Sequence, residues 1–311
     1  MARSNDAYQA RTLPRPQPRL AARILGGQTM VVLLFTAPAL LLFGVYLLYP
    51  IVASVWYSLQ QWNGIGAPRF IGLANWQRLI QDGSVLSSLR NTMIILVSSV
   101  VVEIPIGLAV ALLVQRLGRL GTIFSSIYVV PLLVSSVAIG ITWTGLYNPQ
   151  FGPLYYIYSA FGQQAPGLLG SATWAIWAVT VVVLWQYIPF YILMFNAGLL
   201  GIPHDLYEAA GIDGAGSWTQ FWFITIPLLK RTFVTVLVLL VTGSLVYFDL
   251  IYVMTTGGPG NASFTLALYI YRAAFQDQDI GYGSTIAVLL FVISFVISAL
   301  IVRFSRLLQE E

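Results

Sequence analysis

The stretch WAIWAVTVVVLWQYIPFYILMFNAGLL, residues 174–200, decides the class of this chain because it contains no charged residue. A helix needs about 20 apolar residues to cross the hydrocarbon core of a bilayer, and this stretch is long enough to do so. The strands of a membrane barrel would instead show segments of about 10 residues with alternating hydrophobicity. The stretch therefore predicts a transmembrane helix and an all-α membrane protein.

The rest of the chain has the same character, with 58% hydrophobic residues, 8% charged residues and a mean hydropathy of +0.81. So little polar surface cannot cover a water-soluble globule. Six runs are long enough to span a membrane: residues 30–56, 92–114, 123–146, 174–200, 233–254 and 286–302. We expect a six-helix transmembrane domain over residues 30–307, a flexible basic tail over 1–29 and a short tail over 308–311.

Basic residues predict the orientation of these spans, since six spans place both termini on the same side. Most of the 15 lysines and arginines fall on that side: Arg3, Arg11, Arg15, Arg19, Arg23, Arg116, Arg119, Lys230, Arg231, Arg303 and Arg306. Only Arg69, Arg78, Arg90 and Arg272 fall on the other side. The positive-inside rule then places both termini in the cytoplasm. The net charge of +4 reflects this topology and contact with lipid headgroups, so no nucleic-acid partner is expected.

The composition excludes several kinds of chemistry. The chain has no cysteine, so thiol catalysis and cysteine metal sites are excluded. Lys230 is the only lysine and follows no G-x-x-x-x-G sequence, so the chain has no phosphate-binding loop of that type. His204 is the only histidine, and we expect it to be structural or exposed. We predict no catalytic residue, no metal site and no cofactor bound by this chain.

Two acidic residues, Glu103 and Asp249, lie within apolar spans. An ionisable group at membrane depth costs about 2.5 kcal/mol or more, so it usually faces a polar interior or a partner. Their functional interpretation is proton or cation coupling, or contact with a substrate. If neither acid has such a function, Glu103 pairs across a subunit interface or stays protonated. Asp249 then reaches headgroup water near the outer end of its span.

The loop over residues 203–227 reads as two short helices around a tight turn. Pro203 suits the first position of a helix, and acidic residues follow it in the first turn. Asp213 and Gly214 form a turn signal, in which the glycine is free to adopt a positive φ. Ser217 is expected to cap the second helix, and Pro227 to limit its continuation. Trp218, Phe221 and Trp222 share one face of that second helix.

This loop resembles the EAA signature of the permease subunits of ABC importers. The matching residues are Glu208, Ala209, Ala210, Asp213, Gly214, Ala215, Phe221, Ile224 and Pro227. Three further stretches resemble the carbohydrate-uptake branch: FIGLANWQRLI with LRNT in 70–92, YVVPLL to FGPL in 128–154, and YVMTTGGPGNAS to GYGSTIAVLL in 252–290. The chain departs from the family at Lys230-Arg231 and Tyr155-Tyr156, where members often carry a proline and an asparagine.

The resemblance implies a type I importer permease fold in a bacterial or archaeal cytoplasmic membrane, and a transport subunit rather than an enzyme. In such importers the 203–227 loop is a coupling helix that docks in a cleft of a cytoplasmic ATPase. Glu208 would meet a basic group there, and Ala209, Ala210 and Gly214 would permit close packing. The implied partners are two ATPase subunits that bind ATP and Mg, a second and different permease subunit, and an extracytoplasmic sugar-binding protein.

The resemblance also indicates where a sugar would pass, namely around WQYIP in the fourth span and late in the fifth span. The candidate pathway residues are Gln186, Tyr187, Phe190, Ser244 and Tyr247. Hydroxyl groups favour neutral hydrogen-bond partners, and sugar C–H faces stack on aromatic rings. The loops over 57–90 and 255–283 would form the landing surface of the binding protein, with the apolar stretch FTLALYIYRAAF lying along the membrane surface or dipping into it.

Two other classes of protein compete with this interpretation. An ion-coupled secondary transporter would use Glu103 and Asp249 and would usually show two related halves, but no internal repeat relates the first three spans to the last three. An intramembrane enzyme would need paired acids, a thiol or a second histidine, which this sequence lacks.

Overall fold

The computed structural model describes residues 18–307 of the chain. Residues 1–17 of the predicted basic tail and the predicted tail over 308–311 lie outside the described residues. The chain divides into two compact units, one ending at Ala53 and the other beginning at Ser54.

The first unit is one long apolar helical run. Its helix α1 (Pro18–Phe43) begins well before the predicted start of the first span at residue 30 and continues through a π-helical turn (Gly44–Leu48) into α2 (Tyr49–Tyr57). The run Val32–Tyr57 has a mean hydropathy of 2.2 and no buried residue. A helix that is apolar all round is suited to lipid or to a membrane-embedded neighbour.

The second unit is a helical bundle with a small pair of antiparallel strands, β1 (Gln60–Gln61) and β2 (Arg69–Phe70). Its helices are α3 (Ala74–Gln81), α4 (Gly83–Arg116), α5 (Arg119–Tyr128), α6 (Val130–Leu133), α7 (Ser136–Leu146), α8 (Pro153–Ala160), α9 (Ala175–Leu200), α10 (Asp205–Ile212), α11 (Ser217–Gln220), α12 (Ile226–Leu228), α13 (Lys230–Leu245), α14 (Asp249–Thr255), α15 (Leu266–Tyr271) and α16 (Ile280–Leu307). Two further π-helical turns cover Phe221–Thr225 and Arg272–Gln276.

The predicted spans are present as five helical runs that are long and apolar enough to cross a membrane, within the described part of the chain, and one bent pair. The long helices α4 and α9 pack against each other, and α13 and α16 complete the bundle. A buried cluster at their centre joins α4, α9 and α13 through Leu108, Phe195 and Leu240. The prediction of an all-α membrane protein is therefore confirmed.

The third predicted span, 123–146, is not one straight helix. Its two segments, Ile123–Leu133 and Ser136–Leu146, meet at an angle of 93°. Val134 between them is extended, and Pro131 near the start of α6 lacks the backbone N–H that would continue a regular helix. The bend places the Ser136 hydroxyl 3.0 Å from the side-chain Nε2 of Gln186 on α9, which donates a hydrogen bond to it.

The fifth predicted span, 233–254, is also interrupted. Helix α13 ends at Leu245 and α14 begins at Asp249, so the chain leaves regular helix over residues 246–248. The segment after α14 is fastened to the start of α4. Asn91 donates hydrogen bonds from its side-chain Nδ2 to the backbone oxygens of Ala262 (3.0 Å) and Phe264 (2.9 Å).

The apolar stretch FTLALYIYRAAF packs against protein rather than lying free on a surface. It forms α15 and the π-helical turn that follows, both packed against α16, and α15 also contacts α4. Leu266, Leu268 and Ala273 are buried there. Helix α16 begins so close to β1 that a side chain at Gly281 would collide with the backbone oxygen of Gln60, so this position requires glycine.

Candidate functional site

The 203–227 loop adopts the two-helix form that the sequence predicts. Helix α10 ends at Ile212, and Gly214 follows with a φ of +82° in the turn. The backbone N–H of Ala215 then closes the turn with a 2.8 Å hydrogen bond to the oxygen of Ala210. Two details differ from expectation: Gly216 rather than Ser217 caps α11, and the chain stays helical through Pro227 because that proline lies in the first turn of α12.

This loop presents its signature residues outward. Glu208 leaves 66% of its side chain exposed, and its Oε1 lies 3.0 Å from Nδ1 of the exposed His204 one turn earlier. Ala209, Asp213, Gly214 and Pro227 are exposed, while Ala210 and Ala215 are half-buried. Small residues around an exposed carboxylate leave a low surface that another chain can approach closely.

Side chains that the sequence interpretation missed hold the loop in shape. The Tyr207 hydroxyl lies 2.9 Å from the hydroxyl of the buried Thr225, which joins α10 to the π-helical turn. The side-chain Nε2 of Gln220 donates a hydrogen bond to the backbone oxygen of Ala215 at 3.1 Å. The rings of Trp218, Phe221 and Trp222 contact one another, as their spacing predicts.

A cavity of about 420 Å³ opens at the break in the fifth span. Three of the five predicted pathway residues line it: Tyr187, Phe190 and Tyr247. The rings of Tyr187 and Tyr247 lie 5.0 Å apart between centroids, so α9 and the break share one aromatic wall. Asp249, at the start of α14, lines the same cavity. The wall therefore combines aromatic rings with one carboxylate.

The other two predicted pathway residues, Gln186 and Ser244, are buried and do not line this cavity. Gln186 uses its Nε2 to bond Ser136 on the bent third span. A second, more apolar cavity of about 680 Å³ lies between the two segments of that bent span and α9. Trp143 and Trp185 meet edge to face at its wall, 5.5 Å apart.

At the other end of the bundle lies a polar cluster that the sequence did not predict, here named the Asp82 cluster. Its members are Arg78, Asp82, Tyr269, Asp279 and Tyr282. The hydroxyls of Tyr269 and Tyr282 both donate to Oδ2 of Asp82, at 2.7 and 2.6 Å. Arg78 forms a 2.6 Å ion pair with Asp279 and lies over the Tyr282 ring, 3.8 Å from its centroid. The cluster thereby ties α3, α4, α15 and α16 together.

The Asp82 cluster favours an ionised carboxylate. Burial alone would raise the pKa of Asp82, but the hydrogen bonds from the two tyrosines and from the backbone N–H of Ser84 outweigh burial and lower that pKa. Burial and the hydrogen bond to Asp82 raise the pKa of Tyr269 to about 12. The tyrosine therefore stays neutral at physiological pH and donates to the carboxylate.

No group of three or more His, Cys, Asp or Glu side chains within residues 18–307 is arranged to hold a metal ion. The two intramembrane acids occupy different surroundings: Glu103 is fully buried on α4, and Asp249 is exposed at the cavity.

Comparison with known proteins gives the class of this architecture. The fold matches a chain of a bacterial alginate ABC transporter in complex with an alginate pentasaccharide-bound periplasmic protein. That match has a TM-score of 0.80 and 21% sequence identity, and covers 93% of this chain and 98% of the other. The fold is that of an ABC importer permease.

Sequence comparison gives the family. The family model for the binding-protein-dependent transport system inner membrane component matches residues 103–309. A probable ABC transporter permease protein of Pyrococcus horikoshii is 32% identical over 269 residues, covering 86% of this chain and 92% of that protein. The sulfoquinovosyl glycerol transport system permease protein of Agrobacterium fabrum is 31% identical over 283 residues, covering 90% and 92%. The chain belongs to this family of inner membrane transport components, which confirms the resemblance seen in its motifs.

Proposed function

We propose that this chain is the permease subunit of an ATP-driven sugar importer and forms about half of its translocation pathway. The observation that carries the proposal is the 203–227 loop, which holds Glu208 exposed beside small residues on a fold shared with ABC importers. This carboxylate and the small residues around it match the EAA signature of that family. A partner chain with a basic cleft would use it.

The partner at this loop is an ATPase subunit, and two such subunits serve the complete importer. ATP and Mg bind to the ATPase, because the permease itself has no phosphate-binding loop. Closure of the two ATPase subunits would move the permease pair between outward-facing and inward-facing states. The 203–227 loop lies in the cytoplasm in this arrangement, together with both termini, in the cytoplasmic membrane of a bacterium or archaeon.

The opposite end then faces the outside, and the loops over 57–90 and 255–283 form the landing surface for a sugar-binding protein. The structure supports this grouping because Arg78 in the first loop and Asp279 in the second form a direct ion pair. A second permease subunit, different in sequence, would supply the other half of the pathway.

A sugar suits the cavity at the break in the fifth span. Tyr187, Phe190 and Tyr247 offer aromatic faces for sugar C–H groups, and the hydroxyls of the two tyrosines and Asp249 offer hydrogen-bond partners. The name of the Agrobacterium relative refers to a glycoside, and that of the structural neighbour to a polysaccharide, which supports a carbohydrate substrate.

Purification of the tagged chain from its native membrane in mild detergent tests the proposal, with co-purifying proteins identified by mass spectrometry. We expect a P-loop ATPase and a second six-span chain. Glu208→Ala should lower ATPase recovery at least about tenfold, since a charge pair at an interface is lost. Asp205→Ala is the matched control, because it removes an acid from the same short helix, and should retain recovery within about twofold.

The competing function, ion-coupled transport through Glu103 and Asp249, predicts a different result. The chain would then be recovered alone under conditions where a known transporter complex survives. Uptake would also be lost in Glu103→Gln and unaffected in Glu208→Ala. Recovery of the chain alone, or this pattern of uptake in the two variants, would overturn the importer assignment.

A further inference from the structure

Glu103 is an acidic residue that the proposed coupling and cavity leave without a role. It lies on α4 with 0% of its surface exposed. Among the described residues, neither of its carboxyl oxygens has a hydrogen-bond partner, and none of the ion pairs involves it. The hydroxyl of Ser99, one turn earlier on the same helix, lies near the carboxyl and interacts with it, but outside regular hydrogen-bond geometry. Buried polar groups without partners are uncommon in folded proteins and usually indicate a functional constraint or a bound water.

The groups that face Glu103 come from two other elements. On α9, Tyr191 lies close enough for electrostatic interaction with the carboxyl, with Tyr187 beyond it. At the end of α13 and the break that follows, Tyr247 interacts in the same way, with Ser244 beside it. These facing groups are phenols and hydroxyls, so the carboxyl meets no positive charge there.

Helices α4 and α9 pack closely beside Glu103. Gly107 follows Glu103 by one turn on α4, and a methyl group there would lie 3.2 Å from Cβ of Tyr191. Such a separation is shorter than ordinary van der Waals contact. Helices α4 and α9 are therefore in close contact at this level, with little space between them. Tyr191 has 3% of its surface exposed.

The same tyrosines form a wall of the cavity at the fifth-span break. Tyr187, Tyr191 and Tyr247 all line the cavity of about 420 Å³. Glu103 does not line this cavity, but it lies near enough to Tyr191 and Tyr247 to interact with them electrostatically. A change at Glu103 would therefore alter the cavity only through the tyrosines.

We propose that Glu103 is a neutral carboxylic acid that positions Tyr191 and Tyr247 in the cavity wall. An unpaired carboxylate in a membrane interior is strongly unfavourable, whereas a protonated acid has one O–H donor and one carbonyl acceptor. Both can exchange hydrogen bonds with phenol hydroxyls through a buried water. Glu103 is thus a positioning residue, and its effect on transport rests on the proposed function.

The protonation state can be tested without any transport assay. Infrared spectra of the purified full chain in lipid nanodiscs should contain a carboxylic-acid carbonyl band that persists between pH about 5 and about 7, where ordinary carboxyl groups are ionised. Glu103→Gln should remove this band, and Asp249→Asn should retain it. Absence of the band from the wild-type chain, or its persistence in Glu103→Gln, would overturn the proposal.

The positioning role is tested by uptake in the native host, with radiolabelled maltose, trehalose, sucrose and glucose as probes. For whichever sugar the wild-type chain transports, Glu103→Gln should keep the KM within about twofold, because the amide also has a donor and an acceptor. Glu103→Leu should raise the KM about five- to tenfold and change the maximal rate less, since the tyrosines lose their water-mediated link to a buried polar group. A Glu103→Leu variant that folds and retains the wild-type KM would contradict the role.

The two experiments separate the two claims. If the wild-type chain transports none of these sugars, the proposed substrate class fails, while the infrared band still decides whether Glu103 is a neutral acid. If the band is present and uptake is lost in Glu103→Gln as well as in Glu103→Leu, proton coupling replaces positioning.

Discussion

The two polar ends of the bundle differ in whether their charged groups are bonded within the chain or exposed. At the Asp82 cluster, the carboxylate oxygens of Asp82 and Asp279 are bonded within the chain, by tyrosine hydroxyls, a backbone N–H and an arginine. At the 203–227 loop, Glu208 is exposed with only a surface histidine beside it. Polar groups satisfied internally stiffen a structure, whereas exposed ones remain free for another chain. One end satisfies its charged groups within the chain, and the other leaves its signature carboxylate accessible.

Loss of Asn91 should produce the largest change, at the internally bonded end. In Asn91→Ala, the backbone oxygens of the half-buried Ala262 and the buried Phe264 lose their donor, which should cost about 2–3 kcal/mol. A melting temperature measured in detergent should fall by several degrees. Asn63→Ala is the matched control, because Asn63 is exposed and bonds only to the nearby Ile65. An unchanged melting temperature for Asn91→Ala would mean that this end is held by apolar packing alone.

The next effect concerns the shape of the exposed loop. Valine at Gly214 would be forced into the left-handed conformation, at a cost of about 1–2 kcal/mol, so ATPase recovery should fall about tenfold. Gly216 is the matched control, because its backbone is extended and the space around it is open. Gly216→Val should leave recovery nearly unchanged. Equal recovery from both variants would show that the turn does not matter for binding.

A smaller effect is expected at Asp82, and it depends on pH. Because folding lowers the pKa of this carboxyl, its stabilisation is complete above the unfolded value of about 3.9 and disappears as the pH falls through the lowered pKa. Asp82→Asn should cost about 1–2 kcal/mol at pH about 7. Melting temperatures of the wild type and of this variant should converge in acid. A difference in melting temperature that stays constant with pH would rule out a role for the charge of Asp82.

The smallest effect is expected for Arg78, although its ion pair with Asp279 is short. The Arg78 side chain is 56% exposed, and exposed ion pairs contribute less than about 1 kcal/mol. Arg78→Ala should therefore lower the melting temperature slightly, and added salt should reduce the difference. The same substitution at the exposed Arg90, at the same end of the bundle, is the control. A loss as large as that of Asn91→Ala would indicate that the cluster acts as one cooperative network.

Features set by neighbouring residues could be predicted from the sequence. Long apolar runs place the spans, because burial of an apolar helix in lipid depends on its own composition. The turn at Asp213 and Gly214 is likewise local chemistry, and its positive φ was predicted. The aromatic contacts of Trp218 with its neighbours follow from helical spacing alone.

Features that depend on distant partners could not be predicted. The 93° bend in the third span brings Ser136 to Gln186, which lies in another helix. Asn91 bonds a segment about 170 residues later in the chain, and the LRNT motif gives no sign of that partner. The family resemblance of WQYIP makes Gln186 a predicted pathway residue, whereas the fold directs its side chain to the bend. Ser244 is buried as well, so three of the five predicted pathway residues line the cavity.

The break in the fifth span gives its two pieces different neighbours. Its second piece, α14, is joined to the segment after it by the hydroxyls of Thr255 and Ser263, 2.8 Å apart, and the Thr265 hydroxyl donates to the backbone oxygen of Tyr247 at 3.2 Å. Residues 247–255 are therefore linked directly to the 255–283 segment, and α14 also packs against α7 and α9. A displacement of that segment would reach Tyr247, and with it the cavity wall, through these hydrogen bonds without passing along α13.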